Sequence, residues 1–572
     1  MSPVLVSISS AGLTLASFLG VITVVVFFHE LGHLLVGLAR GVKPEKFSIG
    51  FGPRLFGFMI GETEVRVSLL LFGGYVKFAG DNPLEEAKPE DQGRGFYQAT
   101  PLSRGLIAVA GPAANFVLAY FLFVALYLMP QTSLAPTVGF VKPGSPAAAA
   151  GILPGDRITS VAGMHAQSFF EVQEKIRASF SKPIDLVLDR HGSALAVRVT
   201  PATVEEKNAV ETQKQGRIGI SAVPRMAVIA QLGPDTPAGR AGLRTFDRIE
   251  RYDGTAVGNY EELASRIAQT LSIAGYSTLA RSTVLLEGTR PREVPAPGGT
   301  LWVQEPLRLT IELPALGRNV LPGEIEALAG IACADLNLFV VQPGSAAEQA
   351  GLVRGDRIVA VQGKPVLWWS DEVETERLSR GALPLRLEVL REGKSLTFTV
   401  QQTMRKQRDE SGVKVELPEF GAGPDYRILA GEPERVTVRY GLLEAGARAF
   451  ADTVSATRLI AVGLAGMFSG RVSTEAIGGP LMIADVARKA AGYGLAALLA
   501  VTASISVNLG LMNLLPLPVL DGFHVLSAIL ERIRRRPLSL RFIEIANMVG
   551  VFLLFSLMLF AMRNDVVRKF FE

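Results

Sequence analysis

The chain has 572 residues, and its mean hydropathy of +0.30, with 48% hydrophobic residues, is too high for an ordinary water-soluble protein. Charged residues make up 20% of the chain, which excludes a protein buried wholly in lipid and predicts membrane segments together with sizeable water-exposed domains. The net charge is +4, but the basic residues do not form a stripe with interleaved aromatic residues, so nucleic acid is not an expected partner. One cysteine, Cys333, allows neither an intramolecular disulfide nor a cysteine-rich zinc site.

Four apolar runs are long enough to cross a lipid bilayer, which takes about 20 apolar residues. They cover residues 13–38, 106–129, 490–515 and 545–562. A shorter apolar segment at 459–470, bounded by arginines, predicts an interfacial amphipathic helix rather than a fifth span.

Basic residues indicate how these spans are oriented. They follow the first span and precede the second and fourth, at Arg40, Lys43, Lys46, Arg54, Arg104, Arg532, Arg534, Arg535, Arg536 and Arg541. By the positive-inside rule these loops are cytoplasmic, so both termini and residues 131–490 are expected on the opposite side of the membrane.

The sequence His-Glu-Leu-Gly-His occupies residues 29–33, at the end of a stretch that carries no charge from Met1 to Phe28. Ionisable residues inside a membrane are costly and indicate a functional site by default. On a helix, His29 and His33 lie one turn apart on one face and can bind the same metal ion. Glu30 can then reach a water on that ion as a general base, but such a site needs a third protein ligand.

The candidate third ligand is Asp521, which lies in the sequence NLLPLPVLDG at residues 513–522. It is a lone acid after a charge-free run that begins at Ala490, at about the membrane depth expected for the two histidines. Pro516 and Pro518 break the helix there, which is tolerated only where the irregular backbone is buried in protein or lines a cavity. A carboxylate oxygen is an ordinary zinc ligand. The alternative is that Asp521 merely caps a broken helix.

The region between the second and third spans repeats itself. PGSPAAAAGILPGDRI begins at Pro143, PDTPAGRAGLRTFDRI at Pro234, and PGSAAEQAGLVRGDRI at Pro343. Each copy predicts a turn, a short helix, a glycine that ends it and a strand that begins with Asp-Arg-Ile. The copies resemble bacterial PDZ domains, although the middle one diverges and carries a Pro/Gly-rich insertion around residues 290–299.

Together, HELGH in the first span, the repeats after the second and NLLPLPVLDG in the third resemble the site-2 protease family of intramembrane zinc metalloproteases, most closely its bacterial regulator-of-sigma-E branch. The resemblance covers essentially the whole chain. It implies that His29, His33 and Asp521 bind Zn²⁺ and that Glu30 activates the attacking water. Asn513 would contact the substrate backbone or the developing oxyanion.

Residues 47–79 resemble the re-entrant β-hairpin region of the same family. The resemblance makes Gly74, Tyr75 and Val76 part of an edge strand that can hold an unwound substrate, because a helical substrate hides its amides. A purely structural hairpin is the alternative. Asn115 in the second span is more simply explained by hydrogen bonding between helices than by a role at the site.

The expected fold is a polytopic α-helical membrane protein with about four transmembrane helices and a re-entrant β-hairpin region, followed by tandem α+β PDZ domains outside the membrane. The expected domains are the first half of the protease core (1–130), a PDZ domain (131–222), a divergent PDZ-like domain with an insertion (223–326), a PDZ domain (327–405), a linker with interfacial helices (406–489) and the second half of the core (490–572). The family usually has two PDZ copies, and a second glycine where Phe523 follows Gly522 here.

The resulting hypothesis is an intramembrane zinc endopeptidase of the bacterial inner membrane, with periplasmic PDZ domains and an active site towards the cytoplasm. The resemblance implies substrates that are single-pass membrane proteins of the anti-sigma-factor type, or remnant signal peptides. The PDZ domains would either exclude bulky substrates or bind newly made peptide C-termini. The alternatives are a catalytically inactive PDZ scaffold and a membrane metal transporter, which would be expected to carry His or acidic residues along several spans.

Overall fold

The structure is a computed structural model that describes residues 3–81, 91–207, 212–272, 281–296, 299–369, 373, 376–378, 381–408, 414–469 and 477–570. The chain divides into two compact units. The membrane unit comprises residues 1–131, 207–211 and 439–572, and the repeat unit comprises residues 132–206 and 212–438.

The described helices of the membrane unit are α1 (Pro3–Ala39), α2 (Pro101–Leu128), α3 (Leu442–Phe468), α4 (Pro480–Tyr493), α5 (Leu495–Asn513), α6 (Asp521–Arg534) and α7 (Leu540–Phe570). Among the described residues, four segments are long and apolar enough to cross a membrane: Thr14–Ala39, Pro101–Leu128, Leu495–Asn513 and Arg541–Arg568. The prediction of a polytopic protein with four spans is thereby confirmed.

Helix α2 packs against α1, α3, α5 and α6. Small residues permit this close approach, as is common between membrane helices. A Cβ atom on Gly32 of α1 would collide with the carbonyl of Ala110, and one on Gly510 of α5 would crowd the carbonyl of Pro112. A buried ion pair between Arg104 and Glu531 joins the start of α2 to α6. These contacts hold the first span, the third span and α6 around α2.

Two boundaries differ from the sequence prediction. The third span begins at Leu495 rather than at 490, because Gly494 adopts a φ of +103° and separates α5 from α4. The apolar segment that begins at Leu459 forms the last part of a 27-residue helix, α3, which begins at Leu442 and ends at Phe468. Ala449 and Thr453 are buried residues of α3, and Tyr127 of α2 donates a hydrogen bond to Asp452.

Between α1 and α2 the chain forms a sheet from two long bent strands, β1 (Pro44–Ile60) and β2 (Thr63–Phe78). Residues 46–49 of β1 pair on one side with residues 64–67 and on the other with residues 74–77. No other described strand pairs with this sheet, so residues 74–77 form one of its edges. The expected edge strand is therefore present in the fold.

The repeat unit contains three copies of one arrangement, each with a four-stranded antiparallel sheet and a separate two-stranded pair in the same connection order. In sheet order, the strands of the first copy are Met164–His165, Arg157–Val161, Ile184–Arg190 and Ser193–Val199. Those of the second copy are Thr255–Ala256, Arg248–Tyr252, Arg281–Ala296 and Gly299–Pro314. Those of the third copy are Lys364–Pro365, Arg357–Val361, Leu385–Arg391 and Lys394–Val400. The pairs are Phe140–Val141 with Ile220–Ser221, Ile229–Gln231 with Ile331–Cys333, and Val340–Val341 with Ala422–Gly423.

The repeat helices are Pro146–Ala149, Phe169–Ala178, Pro237–Arg240, Tyr260–Ser272, Ile325–Ala329 and Ala346–Gln349. Further strands pair as Ala202–Lys207 with Thr212–Arg217, Thr403–Arg408 with Lys414–Glu419, and Gln131–Leu134 with Arg435–Val438, and a short helix spans Tyr426–Leu429. The Pro/Gly-rich insertion of the middle copy lies in the extended hairpin of its two 16-residue strands. The sequence prediction ends the second copy at residue 326 and the third at residue 405. In the structure, the strand pairs that close these two copies extend beyond those positions.

The shared Asp-Arg-Ile sequence has the same structural role in all three copies. Its aspartate is buried and accepts two hydrogen bonds from an arginine of the third strand, at 2.6–2.7 Å, in the pairs Asp156–Arg190, Asp247–Arg290 and Asp356–Arg391. The same arginine donates to the carbonyl of the glycine that follows the short helix, namely Gly151, Gly242 or Gly351. Paired in this way, a buried carboxylate is stabilising rather than costly.

Candidate metal centre

Three side chains from α1 and α6 converge in the membrane unit. The Nε2 atoms of His29 and His33 are 3.3 Å apart, and Oδ2 of Asp521 lies 3.1 Å from the first and 3.3 Å from the second. Zinc bonds of 2.0–2.2 Å at tetrahedral angles place neighbouring ligand atoms about 3.3–3.5 Å apart. The three groups therefore fit a zinc ion, and a fourth position is left for water or substrate.

The local fold explains why Asp521 reaches the histidines. It is the first residue of α6 and follows an irregular segment in which Val519 has a φ of +80°. A Cβ atom on Gly522 would collide with the carbonyls of Leu514 and Leu515, so only glycine fits after the aspartate. Phe523 is buried, which shows that the second glycine usual in the family is not required for this turn.

The outer ring nitrogens of the histidines face polar groups of α2. Nδ1 of His33 lies 2.7 Å from the carbonyl oxygen of Ile107. Nδ1 of His29 lies 3.2 Å from the amide of Asn115, which is completely buried. A metal on Nε2 leaves the hydrogen on Nδ1, so the group that faces it should be an acceptor.

The amide of Asn115 can provide that acceptor. Its Nδ2 atom faces His29, while its Oδ1 atom is buried without a hydrogen-bond partner. Turning the amide by 180° exchanges the two atoms, and Oδ1 then accepts the Nδ1–H of His29. The sequence analysis assigned Asn115 to contacts between helices and missed its place beside His29. A signal was available, because Asn115 is a polar residue within the second apolar span.

Glu30 is held by the edge strand. The backbone N–H of Val76 faces its carboxylate. Both residues line a cavity of about 430 Å³ together with His29, His33, Tyr75, Phe78, Asp81, Phe96, Ile107, Ala108, Asn513, Val519, Leu520, Asp521 and His524. The predicted general base Glu30, the two histidines and Asp521 thus share one pocket with an extended backbone segment.

Two of the remaining predicted site residues also lie in this pocket. Asn513 ends α5, and its Nδ2 atom is 3.1 Å from Nε2 of His29. The ring of Tyr75 stacks on Phe51, with 6.1 Å between centroids. Gly74 does not line the pocket. Instead a Cβ atom there would lie 2.9 Å from Val26 and 3.2 Å from Glu30, so this glycine allows the strand to touch α1.

His524 is a pocket residue that the sequence prediction left out. It lies one helical turn after Asp521 and therefore on the same face of α6, which was a readable signal. Its ring packs edge-on against Phe96, and burial lowers its pKa, so the ring is neutral at pH 7.

Comparison with known proteins gives a consistent result. The pattern of peptidase family M50 matches residues 17–557. A protein of Neisseria meningitidis whose name describes a zinc metalloprotease is 29% identical over 557 residues, 97% of this chain and 99% of its own length. Protease RseP of Yersinia pestis is 29% identical, and regulator of sigma-E protease RseP of Escherichia coli is 28% identical, each over 97% of this chain and 98% of its own length. The matches include both α1 and α6, which provide the converging ligands.

Proposed function

This chain belongs to peptidase family M50, the zinc-dependent site-2 proteases, and from that premise we propose that His29, His33 and Asp521 hold its zinc. The predicted family, the enzyme class of intramembrane metalloprotease and the cofactor are confirmed by the comparisons. The ligand assignment is supported chiefly by the separations of 3.1–3.3 Å among the three ligand atoms.

Zinc in this position supplies a Lewis acid that polarises the scissile carbonyl and acidifies a bound water. Glu30 follows His29 directly and faces the same cavity, so it takes the proton of the attacking water and delivers it to the leaving amine. The Val76 N–H holds the carboxylate in place for both proton transfers.

Asn513 acts as the donor for the developing oxyanion. Its amide lies 3.1 Å from the ligand nitrogen of His29, so it borders the position that a substrate carbonyl would take. A metal held by that nitrogen would occupy its lone pair, so the Asn513 N–H would be free to donate to the substrate.

The edge formed by residues 74–77 binds the substrate as an added strand. Its inner side pairs with residues 46–49, and Tyr75 and Val76 line the catalytic cavity. A transmembrane helix exposes no amides for cleavage, so the substrate must unwind locally. Pairing with this edge would stabilise the unwound segment beside Glu30. Gly74 contributes by permitting the strand to lie against α1.

The substrates are transmembrane segments of single-pass membrane proteins, of the anti-sigma-factor or remnant-signal-peptide type. The name of the Escherichia coli relative, regulator of sigma-E protease, supports this class. The positions of the basic loops support an inner-membrane location with the active site towards the cytoplasm and the repeats in the periplasm. We assign the three repeats as PDZ domains, since they share one strand order and one set of buried Asp–Arg pairs.

The Glu30→Gln variant tests the assignment. It should keep its zinc, measured by metal analysis of the purified protein, and lose cleavage of a transmembrane peptide in detergent or lipid. Glu62→Gln is the matched control, because Glu62 is an exposed acid at the β1–β2 turn that pairs with Arg94. Retained cleavage by Glu30→Gln would refute the role of Glu30. A metal transporter would instead move zinc into vesicles and produce no peptide fragment.

A further inference from the structure

One wall of the cavity that contains Glu30 is formed by four residues that have no role in the proposed reaction: Phe78, Asp81, Phe96 and His524. The rings of Phe78 and Phe96 stack with 5.9 Å between centroids and 21° between planes, and His524 packs edge-on against Phe96 at 5.9 Å. Asp81 joins this set because its Oδ2 atom accepts a hydrogen bond from the Phe78 N–H at 3.2 Å. We call these four residues the Asp81 wall.

The Asp81 wall begins where the edge of the sheet ends. Strand β2 ends at Phe78, and Gly80, with a φ of +58°, turns the chain so that the Asp81 carboxylate returns to the Phe78 N–H. A substrate strand that pairs with residues 74–77 would therefore pass Asp81 within a few residues of the bond beside Glu30, since each strand residue advances about 3.3 Å.

Asp81 has no ion-pair partner in the part of the chain that the structure describes. Neither lysine nor arginine is among the described residues that line the cavity. The charge of Lys77 acts on Asp81, but its ammonium group is paired with Glu45 at 3.3 Å. The Asp81 carboxylate thus faces the cavity with an unbalanced negative charge.

The other two carboxylates of the cavity have their own partners. Oδ2 of Asp521 lies 3.1 and 3.3 Å from the ligand nitrogens of the two histidines, and the Val76 N–H faces Glu30. These two negative charges would balance a dipositive zinc ion. Asp81 therefore leaves the cavity with one negative charge in excess, which attracts a cation.

The rest of the Asp81 wall suits a long basic side chain. Phe78 and Phe96 are buried, and their aromatic carbon would cover the methylene groups of a lysine while the carboxylate binds its ammonium group. A neutral side chain of the same length would make only the first contact. An acidic side chain would be repelled by Asp81.

We propose that the Asp81 wall is a specificity subsite that binds a Lys or Arg side chain of the substrate, within four residues of the cleaved bond. The proposal rests on the proposed function, which brings an unwound segment to the edge of residues 74–77. Single-pass proteins supply such a side chain, because the cytoplasmic end of a transmembrane segment carries an excess of Lys and Arg. Asp81 selects the segment and takes no part in the chemical step.

Cleavage of transmembrane peptides by the full chain in detergent tests the proposal. One set carries a single Lys at each of the four positions on either side of the scissile bond, a matched set carries Gln, and mass spectrometry of the products locates the cut. In at least one position Lys should raise kcat/KM at least about ten-fold over Gln, because a charge-assisted contact is gained. Asp81→Asn should lower this ratio below about two-fold and still cleave the Gln peptide at the normal rate.

Charge reversal gives a second measurement. Asp81→Lys should prefer Glu to Lys at the same position at least about ten-fold, because the sign of the subsite is inverted. Glu62→Gln is the matched control, since Glu62 is an exposed acid of the same region that does not line the cavity. This control should retain the full preference for Lys.

Binding is measured separately in the Glu30→Gln chain, which should not cleave. The fluorescent Lys peptide should bind at least about five-fold more tightly than the Gln peptide, and adding Asp81→Asn should abolish the difference. Equal treatment of Lys and Gln at every position, or a Lys preference that survives in Asp81→Asn, would overturn the proposal. So would loss of cleavage of both peptides in Asp81→Asn. If the unaltered chain cleaves no peptide, the proposed function fails, and the binding comparison alone decides the subsite.

Discussion

The amide of Asn115 lies 3.2 Å from Nδ1 of His29, although 86 positions separate the two residues in the chain. Helix α2 thus supports a ligand carried by α1. Groups that bond the outer nitrogen of a ligand histidine fix its orientation and raise its basicity, and losing one typically costs 10–100-fold in metal affinity.

Asn115→Leu should therefore weaken zinc binding about 10–100-fold, measured by competition with a fluorescent chelator. Asn115→Asp keeps an acceptor of the same length and should restore most of the affinity. Ser506→Ala is the control, because Ser506 bonds only the backbone carbonyl of Asn115 at 2.8 Å. If Asn115→Leu binds zinc as tightly as the unaltered chain, the residue is a helix contact and nothing more.

Substitution of Asn513 should impair catalysis without impairing metal binding. Asn513→Ala removes the proposed oxyanion donor and should lower kcat about 10²–10³-fold, with KM little changed. Its zinc content should remain that of the unaltered protein, because Asn513 is not one of the three converging ligand groups. A variant that loses zinc together with activity would show instead that Asn513 orients His29.

Gly74 provides a steric test of the edge strand. A Cβ atom there would lie 2.9 Å from both the Ser48 carbonyl and Val26, so Gly74→Val should push the strand away from α1 and from Glu30. We expect cleavage to fall at least about ten-fold while zinc stays bound, consistent with the cost of small misplacements at a reacting centre.

Gly463→Ala is the control for this substitution, because a Cβ atom on Gly463 in α3 meets nothing within 4 Å. Alanine is a better helix former than glycine, so the control should be neutral or slightly stabilising. Normal cleavage by Gly74→Val would argue that the sheet is only structural.

The three candidate ligands, which the structure brings within 3.3 Å of one another, could be picked out from the sequence because their chemistry leaves a local signature. Two histidines one turn apart, and a single acid at the end of a charge-free span, are unusual enough in lipid to be found without knowing how the spans pack. The same applies to the four spans, whose length is set by the bilayer. Family resemblance then joined the two halves of the site.

What the sequence did not reveal depends on contacts between distant elements. Asn115 and the Trp368–Phe140 stack become visible only once helices and repeats are packed together. The break at Gly494 was also missed, because an uncharged apolar run does not reveal where its backbone turns. Similarly, the closing strands of the second and third repeats pair with strands about 80–100 residues earlier, beyond the reach of local patterns.

Cys333 should be an inert thiol. It is buried in the closing strand of the middle repeat, and burial, reinforced by the nearby Asp335 carboxylate, raises its pKa to about 12. At pH 8 the native protein should therefore not react with a maleimide within an hour, whereas the denatured chain should react fully. The control is Cys333→Ala with Ser193→Cys, since Ser193 is exposed and its thiol should react at once.

The raised pKa of Cys333 also makes the stability of the protein depend on pH. Because folding raises this pKa, the protonated thiol contributes stability that is present below about pH 8.5, the ordinary thiol value, and is lost as the pH rises towards 12. Cys333→Ala should lack that part of the pH dependence. Rapid labelling of native Cys333 would contradict its burial.

The buried Asp–Arg pairs should matter far more than exposed ones of similar length. Asp356 is 0% exposed, and it accepts bonds from Arg391 at 2.6 and 2.7 Å and from the Val353 N–H at 2.9 Å. Asp356→Ala leaves the partly exposed Arg391 guanidinium and the buried Val353 N–H without their acceptor, so we expect a loss of about 1–3 kcal/mol in unfolding free energy.

Asp185→Ala is the control, because Asp185 bonds Arg198 at 2.6 Å while both side chains are more than half exposed. Exposed pairs of this kind contribute at most about 1 kcal/mol. Urea denaturation followed by limited proteolysis measures both variants in the full chain, with cleavage followed in the repeat that carries each substitution. Equal proteolysis midpoints would mean that the shared aspartate is not what stabilises the repeats. A selective loss in Asp356→Ala would explain why this residue recurs at the same position in all three copies.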